Sequence, residues 1–74
     1  MMDYEVEAPE EIMPQDPRAR SAWKKGAVAQ RQNKPSSTCP YNPDYTLGNW
    51  YREAWLDGWR AARDKSKVKV IIRY

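Results

Sequence analysis

Apolar residues recur along the chain with two periods, close to 3.6 in its middle and close to 2 at its ends. Leu47, Trp50, Tyr51, Ala54, Trp55, Gly58, Trp59 and Ala62 fall at i, i+3, i+4, i+7, i+8, i+11, i+12 and i+15, which predicts a helix over about 46–64. Thr46 or Asp44 is placed to cap it. Upstream, Asp16-Pro17 is a helix-start signal, since Asp accepts from orphan N–H groups and Pro has none to lose. The predicted first helix, about 17–32, turns Ala19, Ala22, Trp23, Gly26, Ala29 and Gln30 inward. Asn33 tolerates the left-handed backbone that ends helices, and Pro35 blocks continuation. Gly58 costs its helix about 1 kcal/mol relative to Ala, a cost offset if the small face of the first helix approaches between Trp55 and Trp59.

The stretch Lys34 to Pro43 holds three prolines together with Cys39 and Tyr41, which favour burial, and reads as an ordered connection that folds back on the helices. At the ends the period changes. Lys67 to Tyr74 alternates basic and β-branched residues, while Met2 to Ala8 alternates apolar residues with acids. Opposite charge on two short strands predicts an antiparallel terminal ribbon with cross-strand Glu–Lys contacts. The fold class is α+β, mainly α. One domain spans 1–74: an acidic segment (1–16), a basic two-helix hairpin core (17–65) and a C-terminal strand (66–74).

Length sharpens this picture. A chain of 74 residues buries only roughly 60% of its unfolded surface, which excludes a two-domain enzyme with a deep cleft. Nine Leu, Ile and Val stand beside nine Trp and Tyr, with no Phe. Half of the expected core therefore carries an N–H or O–H that needs a partner.

The net charge of +3 conceals a division: residues 1–17 carry six acids and no base, whereas residues 18–74 carry all 13 Lys and Arg against four acids. A basic body attracts polyanions, with RNA, DNA and acidic protein faces as candidates. Catalysis finds little support, because the chain has no His and most of its acids lie in the first segment. Neither a zinc ligand set nor a phosphate-cradling Gly-rich loop is present, so no metal and no cofactor is expected. Cys39, the only cysteine, cannot close a disulfide within the chain and reads as a small buried hydrophobe. An acidic start and the lack of a long apolar run lead to the expectation of a cytoplasmic protein without a membrane partner.

Basic stripes are the stronger signal. Arg52, Leu56, Arg60 and Arg63 fall at i, i+4, i+8 and i+11 beside the tryptophan ridge. On the first helix Arg20, Lys24 and Arg31 align, with Arg18 and Lys25 adjacent and Lys34 opening the connection. If both stripes face one side, they make a cationic surface flanked by rings, suited to phosphates and unpaired bases. The RNA-binding candidates are Arg20, Lys24, Lys25, Arg31, Lys34, Arg52, Arg60 and Arg63. Helical spacing assigns the tryptophans themselves to the core.

Gly26, the triplet Cys39-Pro40-Tyr41 and the run Trp55-Leu56-Asp57-Gly58-Trp59-Arg60 together resemble the bacterial ribosome modulation factor family over about residues 18–64. The resemblance makes Gly26, Cys39, Pro40, Tyr41, Trp55, Gly58 and Trp59 the structural motif. It implies a two-helix protein that binds the small ribosomal subunit, contacts ribosomal RNA near the messenger-exit region and promotes inactive ribosome pairs. Lys34 and Arg60 match basic positions of that pattern. The family has glycines where this chain has Gln30 and Asn33, a shorter stretch before the tryptophans, and neither the acidic start nor the strand-like end. These additions leave an alternative: a protein-interaction or regulatory module of a mobile element, homodimeric through the ribbon, that keeps the fold without binding RNA.

Overall fold

Asp16 accepts the Arg18 amide at 2.8 Å and Pro17 takes the first helical position, so α1 runs Pro17–Arg31 in the computed structural model, which describes residues 3–41 and 46–73. Asn33 ends it in the left-handed region, at φ 62°. There the Lys34 N–H reaches the Ala29 carbonyl at 3.0 Å and closes the last turn. The element order is β1 (Asp3–Glu7), a 3-10 turn at Glu10–Ile12, α1, a 3-10 turn at Ser36–Thr38, α2 (Thr46–Ala61) and β2 (Lys69–Arg73). The expected cap of α2 lies outside the described residues, since neither Asp44 nor the Thr46 side chain is among them.

Two glycines bring the helices together. A Cβ on Gly26 would lie 1.9 Å from the Trp55 carbonyl oxygen, and one on Gly58 would lie 1.9 Å from that of Trp23. The helices therefore touch backbone to backbone, and the flanking rings close around the contact. Trp23, on α1, is fully buried and donates its indole N–H to Asp57 at 3.1 Å, which gives the largest ring of the core its polar partner.

The buried face of α1 is wider than the spacing predicts. Ala19, Ala22, Trp23, Gly26 and Ala29 are buried as expected, but Gln30 is only half-buried, while Ala27 is fully enclosed. Ala27 turns away from the helix contact and joins Trp23, Ala62 and Val68 in a core packed by Val6, Ala8, Ile12, Met13, Ala61 and Val70. Thus α1 is covered by α2 on one side and by the terminal segments on the other.

β1 and β2 pair antiparallel, with Val6 opposite Val70 and Glu7 opposite Lys69. The expected cross-strand Glu–Lys placement holds there, but Glu5 faces Ile71, because the alternation of β2 breaks at its paired isoleucines. A ribbon of two strands is marginal alone. Here α1 supports it: Arg31 donates to the Val68 carbonyl at 3.1 Å and the Gln32 amide donates to the Tyr4 hydroxyl.

The start of α2 departs from the expected inner face. Leu47 is 62% exposed and Trp50 36% exposed. The core lies toward the other end of the helix, at Trp55, Gly58 and Ala62, so the apolar stripe of α2 is longer than the surface offered to it.

Candidate nucleic-acid interface

The connection between the helices returns along α1. Near its start, the Lys34 carbonyl accepts the Trp59 indole N–H at 2.8 Å. Further on, Thr38 and Pro40 face Lys25, Val28 and Gln32 across a hollow of about 230 Å³ floored by Trp55. At its far end Tyr41 stacks on Tyr51, with centroids 5.4 Å apart and planes at 26°. This pair and Pro17, Arg18, Ser21 and Lys25 enclose a second hollow of about 390 Å³. Lys25 borders both, so the two form one trough between α1 and the connection.

The eight sequence-predicted cations do not share one surface. Lys25 and Lys34 are exposed along the trough. Across the Trp59–Lys34 hydrogen bond the surface continues onto α2, where the Arg63 guanidinium lies 5.7 Å from the Trp59 ring centroid. Arg60 and Arg63 share an open hollow with Asp64, Lys65 and Ser66. Arg52 is half-buried on α2, and Lys24 borders a third hollow, beside Tyr4 and Glu5, that shares Ser21, Lys25 and Val28 with the trough.

Arg20 and Arg31 are instead tied to the chain's own groups on the side of α1 that the terminal segments cover. Arg20 pairs with Glu10 at 2.7 Å and donates to the Pro14 carbonyl at 3.1 Å, while Arg31 holds Val68. The aligned stripe of α1 thus faces the terminal segments. The outward basic row is Arg18, Ser21, Lys25, Val28 and Gln32, at i, i+3, i+7, i+10 and i+14.

The motif residues set this surface. Gly26 and Gly58 fix the helix approach, Trp55 floors the trough, and Pro40 and Tyr41 line it. Cys39 is half-buried at the end of the Ser36–Thr38 turn. Two acids stand at its ends. The Arg18 amide holds the Asp16 carboxyl below the ordinary value of 3.8. Asp64 is lowered in the same sense, chiefly by the Ser66 hydroxyl at 2.6 Å and then by the Ser66 amide at 3.0 Å.

Two residues beside this surface are not among the sequence-predicted candidates. Arg18 is only a neighbour of the aligned cations in sequence order, although its spacing to Ser21 and Lys25 puts it on their face. Its guanidinium lies 5.6 Å from the Trp50 ring centroid, beside a ring assigned to the core by spacing alone. Among the described residues no three of His, Cys, Asp and Glu are grouped to hold a metal ion, and no helix is long and apolar enough to cross a membrane.

The family model described as ribosome modulation factor covers residues 13–67, which takes in both helices, the connection and the trough but neither strand of the ribbon. No curated protein and no solved structure matches the chain. With a family model spanning well over half of its length, this chain belongs to the ribosome modulation factor family.

Proposed function

We propose that this chain is a non-enzymatic, cytoplasmic factor that binds ribosomal RNA of the small subunit, holds ribosomes inactive during slow growth or stress and so lowers translation. The observation that carries the reading is the run of cations left outside the fold. Lys25, Lys34, Arg63 and Arg60 follow one surface through the Trp59–Lys34 bond, whereas Arg20 is paired with Glu10 and Arg31 with the Val68 carbonyl. Guanidinium forks and ammonium groups on one face suit a phosphate backbone, whose affinity falls with salt as counterions are released.

Co-sedimentation with small ribosomal subunits at increasing salt tests it. Contacts from Lys25, Lys34, Arg60 and Arg63 with about four phosphates give a log–log slope between about −2.8 and −3.6. A flat response, or no binding at low salt, overturns the reading.

A second reading, a protein-interaction module, is favoured by the ribbon. Ile71 is 38% exposed on a sheet whose order is β1-β2 alone among the described residues, and open strand edges pair readily with other chains. Equilibrium sedimentation of the chain alone decides it: a dimer lost on replacing Ile71 with Lys supports the module.

A further inference from the structure

The Trp50 ring, exposed at the start of α2, serves nothing in the fold described so far. Trp50 and Tyr51 have centroids 5.0 Å apart with planes at 49°, and Tyr51 in turn stacks on Tyr41. Three rings from two segments thus form one cluster, of which Tyr41 and Tyr51 line the 390 Å³ hollow and Trp50 packs beside Tyr51. Arg18 lies against Trp50, and Lys25 stands on the same face of α1. An aromatic platform with cations at its rim is what an unpaired nucleotide needs: a π-face for the base and positive charge for its phosphates. An apolar protein segment is the poorer fit, because the hollow is lined by Arg18 and Lys25, the first of which also pairs with Asp16 at 3.5 Å on its flank.

We infer that Trp50, backed by Tyr51 and Tyr41 and flanked by Arg18 and Lys25, is a base-stacking subsite for an unpaired nucleotide of bound RNA. The inference rests on the RNA-binding reading above and adds to it a preference for unpaired over paired nucleotides. Phosphate contacts along Lys34, Arg60 and Arg63 hold either form; the ring cluster requires a free base.

Fluorescence anisotropy with a short labelled oligouridylate, an abasic strand of the same length and a blunt RNA duplex tests it on the full chain. The intact chain binds oligouridylate more tightly than the abasic strand. Trp50→Leu weakens oligouridylate binding about 5- to 100-fold, the range expected for one lost stacking contact, and leaves the abasic strand and duplex unchanged. Trp50→Phe keeps most of the affinity. Because Trp50 lies on the surface, far-UV circular dichroism of each variant verifies that the helices persist. Equal binding of oligouridylate by Trp50→Leu and the intact chain overturns the stacking subsite while leaving the RNA-binding reading standing, as does equal binding of the oligouridylate and abasic strands. Loss of all binding by the intact chain at low salt overturns both.

Discussion

Gly26 lies so close to the Trp55 carbonyl that a methyl group on its Cα would sit 1.9 Å from the oxygen, and Gly58 stands in the same relation to Trp23. Both obstacles are helix backbone, which cannot move aside without parting the helices. Ala at an exposed helical position gains about 1 kcal/mol over Gly. At Gly26 or Gly58 the sign reverses: each Gly→Ala substitution costs about 3 kcal/mol, the upper range for overpacking. At roughly 4–8 °C per kcal/mol for a domain of this size, thermal unfolding followed by circular dichroism should fall by more than about 10 °C. An unchanged midpoint would show that the helices separate without penalty.

The same contact shows what was readable beforehand. Gly58 amid tryptophans, Asn33 before a proline and Asp16-Pro17 each announce a local backbone requirement, and each requirement is met in the fold. Alternation at the two ends likewise suffices to place the ribbon. What spacing does not carry is how far a partner surface extends. Trp50 follows the same period as Trp55, yet lies where the core has ended. Arg20 and Arg31 look no different in sequence from Arg60 and Arg63; only the return of the terminal segments over α1 engages the first two.

Trp23 and Asp57 provide the next test. With its ring fully buried, the indole of Trp23 has the Asp57 carboxylate as its acceptor at 3.1 Å. Asp57→Ala removes the acceptor and costs about 1–2 kcal/mol, whereas Asp57→Asn keeps an acceptor oxygen and costs less. Denaturant unfolding of the two variants should place Asn between Ala and the unaltered chain.

Ribbon pairing depends on charge at one cross-strand pair. Glu7 stands opposite Lys69, so Glu7→Lys sets like charges face to face at a cost of a few tenths of a kcal/mol, up to about 1. Hydrogen exchange at Val70 and Ile71 should quicken accordingly, with α1 and α2 unaffected. Restoring opposite charge with Lys69→Glu in the same chain should slow it again.

Acid should loosen the chain through Asp16 and Asp64. Both carboxyls titrate lower in the folded chain than the ordinary value of 3.8, held down by the Arg18 amide and by Ser66 respectively. Because the unfolded chain binds these protons more readily, their contribution is present above about pH 4 and drains away as pH falls through the lower folded values. Asn at both positions keeps an acceptor oxygen but does not titrate. Melting midpoints measured from pH 6 down to pH 2 should therefore fall less steeply for the Asp16→Asn, Asp64→Asn double variant than for the unaltered chain.

The division of the cations predicts opposite phenotypes for chemically similar residues. Arg31 spends its guanidinium on the Val68 carbonyl, so Arg31→Met frees a buried carbonyl at the entrance to β2 and lowers stability by about 1–2 kcal/mol. Its effect on the salt dependence of RNA binding should be negligible. Arg60 is exposed beside Arg63 and Lys65, with no core to support. Arg60→Gln should leave the melting midpoint in place and make the log–log salt slope shallower by about 0.7–0.9, the loss of one phosphate contact. If Arg31→Met flattens the slope while Arg60→Gln does not, the cationic surface runs over the ribbon side of α1 rather than along the trough and the end of α2.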